Sequence, residues 1–358
     1  MITREEVLKA LERVTDPATS RNVVASGMIE GLVVKDGHVG FALEVDARRG
    51  PSAEPLRKQC EDAVHALKGV LSVTAVLTAH QGRQPQAAPA PQPAGIPGVE
   101  AIVAVASGKG GVGKSTVAVN LAISLARQGL RAGLLDADIY GPSVPRLLAI
   151  RDKPGQGANH KLLPIEKYGI KTMSIGFLVD EATPMIWRGP MVQSALTQMM
   201  NDVLWAPLDV LIVDMPPGTG DAQLTMAQRV PLKGAVIVST PQDLALIDAR
   251  KAIAMFEKTQ VPILGLVENM STFLCPNCGH ESHIFGHGGA RETAAKMGAP
   301  FLGEIPLVGS IREMSDAGTP VTALVPGSAE AKAFDAVASE VARALVAPLR
   351  AAPRIVLE

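Results

Sequence analysis

Apolar residues recur with two different spacings over the first 80 positions of the chain. From Val7 to Val14 they follow the spacing of one helix face, and a second helical pattern runs from Glu54 to Leu67. Three shorter apolar runs, Met28–Val34, Val39–Val45 and Val70–Leu77, predict strands. The resulting order, α-β-β-α-β, predicts a small α/β domain over residues 1–79.

A compositional break separates this segment from the rest of the chain. From Gln81 to Gly98 nearly every residue is Pro, Ala, Gln or Gly, and Ile96 is the one sizeable apolar side chain. Such a stretch buries too little surface to offset the entropy of ordering it, and its prolines keep it extended. We therefore expect an interdomain linker over residues 80–99.

Beyond the linker, short apolar runs alternate with helical stretches. Such an alternation makes βαβ units with right-handed crossovers. Runs that are nearly continuous in apolar residues are typical of strands buried on both faces of a parallel sheet. The pattern predicts a doubly wound α/β domain with a mainly parallel sheet over residues 100–358. Its five predicted strands are Ile102–Ala106, Ala132–Leu135, Val210–Val213, Ala235–Ser239 and Ile263–Val267.

Composition and charge narrow the function classes. Of the 358 residues, 47% are hydrophobic and 19% are charged, which excludes a disordered chain. The 34 basic and 35 acidic residues nearly cancel and aromatic residues reach only 3%, so a general nucleic-acid binder is not expected. No apolar run approaches the ~18 residues of a membrane helix, and the first six residues do not resemble a signal peptide. We expect a cytoplasmic protein without nucleic-acid or membrane partners.

The segment directly after the first of these strands matches the phosphate-binding pattern G-x-x-x-x-G-K-[ST], with a helix following it. Glycines in this pattern let backbone N–H groups converge on phosphate oxygens. Lys114 would reach the β- and γ-phosphates of ATP, and the Ser115 hydroxyl would bind Mg²⁺. The residues predicted to contact the nucleotide are Gly108, Lys109, Gly110, Gly111, Val112, Gly113, Lys114, Ser115 and Thr116.

Carboxylates follow two of the predicted strands, at the strand ends where ligands bind in open α/β sheets. Asp136 and Asp138 come directly after the second strand. Asp214 ends the third strand and precedes a Pro-Pro-Gly sequence, which makes it the candidate for water-mediated binding of Mg²⁺. Gly218, the glycine of that sequence, is expected to offer its backbone N–H to the γ-phosphate.

The phosphate loop carries a second lysine, Lys109, directly after its first glycine. The sequence G-K-G-G-V-G-K-S-T resembles the deviant Walker A motif of the class that includes ParA, MinD and the nitrogenase iron protein. The resemblance implies a homodimer with two ATP molecules at its interface, in which Lys109 contacts the partner's nucleotide and stabilises transition-state charge. It also implies that Asp138 orients the attacking water, that Asp136 supports the metal site, and that Asn269 contacts the adenine.

Cys275 and Cys278 form the one C-x-x-C sequence of the chain. A thioredoxin-type redox pair is disfavoured, because the pair follows the fifth strand of a P-loop domain. A zinc knuckle would add His280 and His283 as ligands. Alternatively, the pairs of two chains would supply four thiolates to one iron–sulfur cluster on the dimer axis. The third cysteine, Cys60, falls in a helical pattern, where we expect it to be buried and inert.

Five segments of the sequence point to one family within this wider class. They are Asp136–Ser143, Trp187–Met191, Pro216–Asp221, Glu268–Met270 and the pair Cys275-x-x-Cys278. Together they resemble the Mrp/ApbC family of ATP-dependent iron–sulfur cluster carriers. The resemblance implies an ATP-hydrolysing homodimer that holds a cluster, 4Fe–4S for a four-cysteine site, between its chains. It also implies transfer of that cluster to apo iron–sulfur proteins, with cluster-assembly factors as further partners.

The first domain, with Asp16-Pro17, looks like the small domain often fused to bacterial members of this family. Stand-alone versions of that domain carry a cysteine after the second strand, and Ala47–Pro51 has none, which favours an adaptor role. Two alternatives stay open within the wider class. A ParA/MinD-like positioning ATPase would not need the cysteine pair, and the tail Pro348–Glu358 lacks the basic amphipathic face of a membrane-binding helix. An ATP-dependent reductase similar to the nitrogenase iron protein is the other.

Overall fold

The structure, a computed structural model, describes residues 2–17, 21–35, 37–46, 53–80, 95–157, 161–179 and 189–346. The chain divides into two units, residues 1–90 and 91–358. Four segments of the sequence analysis lie outside the described residues: 81–94 of the predicted linker, 47–51 of the first domain, Trp187-Arg188, and the tail 348–358. The predicted domain bounds, 1–79, 80–99 and 100–358, therefore stay a prediction.

The N-terminal unit has the predicted α-β-β-α-β order, with one short antiparallel strand pair added after the first helix. Thr3 and Glu6 form a reciprocal capping box that starts this helix. Cys60 is fully buried, as predicted, and burial raises the pKa of its thiol to about 11. The elements are α1 (Arg4–Leu11), β1 (Thr15–Asp16), β2 (Arg21–Asn22), β3 (Ile29–Lys35), β4 (His38–Asp46), α2 (Glu54–His65) and β5 (Ser72–His80).

The second unit alternates strands and helices, as the apolar runs predict. Its strands are β6 (Val99–Ala106), β7 (Ala132–Asp136), β8 (Ile165–Lys167), β9 (Ile170–Ser174), β10 (Leu208–Asp214), β11 (Gly234–Ser239), β12 (Ile263–Leu274), β13 (Glu281–Ser282) and β14 (Phe301–Leu307). Its helices are α3 (Lys114–Arg127), α4 (Val144–Leu147), α5 (Gly189–Asn201), α6 (Asp221–Arg229), α7 (Asp243–Lys258), α8 (Gly289–Lys296), α9 (Gly309–Asp316), α10 (Val321–Leu324) and α11 (Ala329–Val346).

These strands form one nine-stranded sheet in the order β13-β12-β11-β6-β10-β7-β9-β8, with β14 paired to β12. Seven strands are parallel, while β8 and β13 pair antiparallel with their neighbours, so the predicted mainly parallel, doubly wound fold is confirmed. The central strands β6, β7, β10 and β11 are almost wholly buried. Because these four strands are parallel, their carboxyl ends lie at the same edge of the sheet, where the candidate residues follow them.

The structure extends the predicted strand set in two ways. The fifth predicted strand, Ile263–Val267, continues to Leu274, so Asn269 lies inside β12 rather than after it. Four strands, β8, β9, β13 and β14, were not predicted. Strands β8 and β13 are only three and two residues long, and polar residues interrupt the apolar pattern of β9 and β14. Among the described residues, no helix has the length and apolar character needed to cross a bilayer.

Candidate nucleotide site and cysteine pair

The phosphate loop joins β6 to α3 in a backbone conformation that requires glycine at two positions. Gly113 has a φ of +81°, and a Cβ atom there would lie 2.2 Å from Nδ2 of Asn269. A Cβ atom on Gly108 would lie 2.1 Å from the carbonyl carbon and oxygen of Asp248. Because backbone atoms of α7 leave no room at Gly108, the loop is held against that helix. The loop thus approaches its neighbours too closely for any other residue.

Lys114, at the start of α3, is nearly fully buried and forms an ion pair with the fully buried Asp214 at the end of β10. Its Nζ also lies 3.2 Å from the Ser115 hydroxyl. The pair brings together the lysine predicted to bind phosphate and the carboxylate predicted to support Mg²⁺. Each side chain therefore neutralises the charge of the other.

Asp136 lies beside Asp214, because strand register pairs these two residues across β7 and β10. Its carboxylate accepts hydrogen bonds from the N–H groups of Val144 and Asp138 and from the Ser174 hydroxyl, at 3.0–3.2 Å. Burial, with the Asp214 charge added to it, raises the pKa of Asp136 to about 7. Asp136 therefore holds its proton to higher pH than an ordinary carboxyl does.

Asp138 is half-buried at the mouth of the same site. Burial raises its pKa above the ordinary value, while the Lys114 charge acts in the opposite direction. It lines an open cleft of about 290 Å³ together with phosphate-loop residues, Ser143, Leu147 and Pro217. Asp138 therefore faces the same cleft as the phosphate loop.

The residues present suit a magnesium ion. Oδ2 of Asp214 is buried and has no hydrogen-bond partner among the described residues. A buried carboxylate oxygen without a donor is costly unless a cation or water binds it. The Ser115 hydroxyl and the Asp214 carboxylate both lie beside Lys114 Nζ, so one ion near them would find the oxygen ligands that Mg²⁺ prefers.

The Pro-Pro-Gly segment after β10 is tied to the phosphate loop. Gly218, with a φ of +97°, donates its N–H to the Ser107 carbonyl at 3.0 Å. The amide of Gln223 donates to the Pro216 carbonyl. The Gly218 N–H is thus engaged by the protein here, and its predicted contact with a γ-phosphate requires this segment to rotate.

Asn269 lies behind the phosphate loop rather than in the open cleft. It is buried on β12, and its Nδ2 donates a hydrogen bond of 2.8 Å to the carbonyl of Val112. Met270, the next residue, has a φ of +57°, and the pairing of β12 with β14 shifts register between Asn269 and Phe273. The predicted adenine contact of Asn269 stays a prediction, whereas its contact with the loop is a feature of the structure.

Lys109 is half-buried in the loop. Within the described part of the chain, no acidic side chain pairs with its ammonium, and its carbonyl accepts a hydrogen bond from the Ser107 hydroxyl at 2.9 Å. The described carboxylates thus leave the Lys109 ammonium without an ion-pair partner.

The cysteine pair lies at the end of β12, in the hairpin to β13. The N–H of Cys275 donates to the His280 carbonyl, and the N–H of Gly279 donates to the Cys275 carbonyl, both at 2.9 Å. Hydrogen bonds from the backbone N–H groups of Cys278 and Asn277 lower the pKa of the Cys275 thiol. Cys275 is half-buried and Cys278 exposed, so both thiols are accessible to a ligand.

The zinc-knuckle alternative finds no support in this hairpin. Among the described residues, one set of three His, Cys, Asp or Glu ligand atoms lies within 4.8 Å, and it does not include the cysteines. The His283 ring instead stacks on His287, with centroids 4.4 Å apart. In the described part of the chain, no third His, Cys, Asp or Glu ligand atom completes such a set with Cys275 and Cys278.

Two residues of the nucleotide site escaped the sequence analysis. The Ser174 hydroxyl donates a hydrogen bond to Asp136, and the Gln223 amide donates one to the carbonyl of Pro216 in the Pro-Pro-Gly segment. Ser174 ends β9, a parallel strand, so the rule that found Asp136 would have found it had β9 been predicted. Gln223 lies inside α6, where its side chain looks like any polar helical residue, and the sequence offers no signal for it.

Both units of the chain match known protein families. The family described as NUBPL iron-transfer P-loop NTPase matches residues 98–342, which is more than half of the chain. The chain belongs to this family. Residues 4–76 match a second family, described as iron-sulfur cluster assembly protein. The resemblance expected from the sequence motifs is confirmed for both units.

Relatives of the NUBPL/Mrp type extend over most of the chain. An iron-sulfur cluster carrier protein of Synechocystis is 44% identical over 347 residues, covering 96% of this chain and 98% of its own. A protein of Arabidopsis thaliana described as an iron-sulfur protein required for NADH dehydrogenase, mitochondrial, is 58% identical over 249 residues, 69% of this chain and 80% of its own.

Solved structures agree with the fold. An Archaeoglobus fulgidus nucleotide-binding protein in complex with ADP is 43% identical, with a TM-score of 0.55, over 62% of this chain and 87% of that one. The Pyrococcus furiosus cell division ATPase MinD, 23% identical over 68% of this chain and 98% of that one, has a TM-score of 0.53 and shows the fold alone. The chain is thus a P-loop NTPase of the MinD/ParA fold with a nucleotide site.

Proposed function

We propose that this protein is an ATP-hydrolysing carrier of iron–sulfur clusters. Two chains form a homodimer, and Cys275 and Cys278 of each chain bind one cluster between them. The cluster is cargo, which the protein passes to apo iron–sulfur proteins in the cytoplasm, with cluster-assembly factors as further partners. Relatives named iron-sulfur cluster carrier protein, at 44–53% identity, support the assignment.

The observation that carries the proposal is the incompleteness of the cysteine pair. Two accessible thiols lie at a strand end, and none of the described His, Cys, Asp or Glu side chains completes a site around them. Four thiolates are the usual ligand set of a 4Fe–4S cluster, so a second copy of the pair is needed. A two-fold axis through the cluster supplies it, since each subunit then contributes the same surface.

The nucleotide site supplies the energy of the cycle. Lys114 and backbone N–H groups of the phosphate loop hold the phosphates, and Ser115 and Asp214 hold Mg²⁺, which neutralises charge on the phosphates when bound. Asp138 orients the attacking water, and Asp136, which pairs with Asp214 in the strand register, supports the metal site. Lys109, whose ammonium no described acid engages, reaches the nucleotide of the partner chain and stabilises the transition state.

Strand β12 connects the two sites. Asn269 bonds to the phosphate-loop carbonyl of Val112, and Cys275 follows the end of the same strand six residues later. Any movement of the loop on nucleotide binding therefore acts on the base of the cysteine hairpin. Nucleotide state and cluster affinity are then linked, and the linkage is reciprocal.

The test is anaerobic reconstitution of the full chain with iron and sulfide, followed by metal analysis and transfer to an apo-ferredoxin. We expect about four irons per dimer for a 4Fe–4S cluster. Cys275→Ser or Cys278→Ser should each lose most of the cluster, because one change removes two of the four ligands in the dimer. ATP hydrolysis should survive in both variants, since neither thiol belongs to the nucleotide site.

The matched control is Cys60→Ala, which removes a thiol from the buried face of α2 and should leave iron content unchanged. One zinc per chain that is lost in His280→Ala or His283→Ala would overturn the proposal in favour of a zinc knuckle. Cluster binding without transfer to apo-ferredoxin, but with ATP-dependent electron transfer, would instead favour a reductase. ATP hydrolysis without any cluster would favour a positioning ATPase.

A further inference from the structure

We propose that Glu268, His287 and Glu304 form a second metal site, which binds one divalent transition-metal ion through an imidazole nitrogen and two carboxylates. The three ligand atoms lie within 4.8 Å of one another. The site lies outside both the nucleotide cleft and the cysteine hairpin. It goes beyond the proposed function, because neither ATP hydrolysis nor the cluster uses these residues.

The fold brings the three ligands together from separate elements. Glu268 and Glu304 are partners in the parallel register of β12 and β14, so their side chains leave the same face of the sheet side by side. His287 comes from the segment that precedes α8, two residues before that helix begins. Its Nε2 lies 3.0 Å from Oε2 of Glu304.

Each ligand is held in place by the protein around it. Glu268 is fully buried, and its two oxygens accept hydrogen bonds from the N–H groups of Gly288 and Ala290 at 2.9 and 2.7 Å. The His287 ring is stacked on His283. Glu304 accepts a hydrogen bond of 3.0 Å from Arg291. Neighbours that orient metal ligands in this way typically raise metal affinity.

The charges at the site also favour a cation. Two carboxylates in adjacent register repel each other unless a positive group lies between them. The Arg291 guanidinium partly fills this role at Glu304, and its exposed side chain can move aside. A metal ion between the two carboxylates would neutralise this repulsion and accept the lone pair of His287 Nε2.

The donor set indicates which ions fit. Donor atoms of a tetrahedral site with bonds of about 2.0–2.2 Å lie roughly 3.3–3.6 Å apart, so donors that now lie within 4.8 Å of one another would approach by at most about 1.5 Å on binding. An imidazole with two carboxylates suits zinc, iron, cobalt or nickel rather than calcium. Three protein ligands leave at least one position of the ion open to water or another ligand.

The test uses zinc as the probe, in the full chain with Cys275→Ser and Cys278→Ser so that the thiols do not compete. Calorimetric titration should show one zinc per chain. His287→Gln and Glu304→Gln should each weaken binding at least about tenfold, because loss even of an outer partner typically costs that much. Glu292→Gln also removes one carboxylate, from the exposed side of α8, and should leave the zinc affinity unchanged.

Two results would overturn the proposal. The first is no zinc binding by the thiol-free protein, and the second is equal affinity in His287→Gln, Glu304→Gln and Glu292→Gln. Substitution with Co²⁺ gives a second readout, since nitrogen and oxygen ligands produce visible absorption without the intense near-ultraviolet bands of thiolate ligands. A negative result in the zinc titrations would not change the iron content expected for the unmodified dimer, so the two proposals are tested separately.

Discussion

The buried pair of Lys114 and Asp214 allows a quantitative test of how this site contributes to the stability of the fold. Lys114 is 6% exposed and Asp214 is 0% exposed, and Asp136 lies in register beside Asp214. Lys114→Met would leave the Asp214 carboxylate buried next to a second carboxyl. The perturbation thus removes the cation and keeps the anion.

Removing one partner of a buried ion pair typically costs about 3–5 kcal/mol, because the remaining charge stays desolvated. We therefore expect Lys114→Met to lower the free energy of unfolding by about 3 kcal/mol at pH 8. Asp214→Asn should cost less, since the Lys114 ammonium lies at the cleft and can reach water. The double variant, with Lys114→Met and Asp214→Asn together, should lose roughly 1–3 kcal/mol less free energy of unfolding than the sum of the two single losses.

Intrinsic fluorescence makes the measurement specific to one unit. Both tryptophans of the chain, Trp187 and Trp205, belong to the second unit, and Trp205 is fully buried. Denaturant unfolding followed by tryptophan emission therefore reports the NTPase unit even when the N-terminal unit unfolds separately. The midpoint and the slope together give the free energy of unfolding.

Lys251→Met is the matched control, because Lys251 pairs with Asp248 on the surface of α7, where both groups are partly exposed. Exposed pairs contribute about 0–1 kcal/mol, so this variant should unfold close to wild type. The reasoning would be refuted if Lys114→Met unfolded at the wild-type denaturant concentration, or if the two single losses were strictly additive.

Two further predictions concern the same site. Lys109→Ala should keep its affinity for ATP while hydrolysis in the dimer falls at least about 100-fold, as expected for a cation acting from the partner chain; equal loss of ATP binding in Lys109→Ala and Lys114→Ala would contradict this role. Asp136, whose pKa rises from 3.8 to about 7 on folding, stabilises the unliganded protein when protonated, so this contribution is lost as pH rises from about 4 to 7. The free energy of unfolding of wild type minus that of Asp136→Asn should therefore fall by about 2–3 kcal/mol between pH 5 and pH 7.5, and a difference that does not vary with pH would count against the raised pKa.

The sequence predicts the phosphate site better than the sheet edges, for physical reasons. Lys114, Asp136 and Asp214 follow strands whose nearly continuous apolar character identifies them, and parallel strand ends necessarily meet. By contrast, the second half of β12 reads as polar, from Glu268 onward. It is nevertheless a strand, because backbone groups of the phosphate loop, the α8 entry and β14 satisfy its buried polar side chains. Such partners are distant in sequence, so a local pattern does not reveal them.

The single strand that carries both Asn269 and, at its end, Cys275 also limits how the chain can change in length. Adding or removing one residue between them would turn every later side chain to the opposite face of the sheet. Asn269 would keep its bond to Val112, but the cysteine pair would face away from its present side. The six-residue spacing from Asn269 to Cys275 should therefore tolerate neither insertions nor deletions.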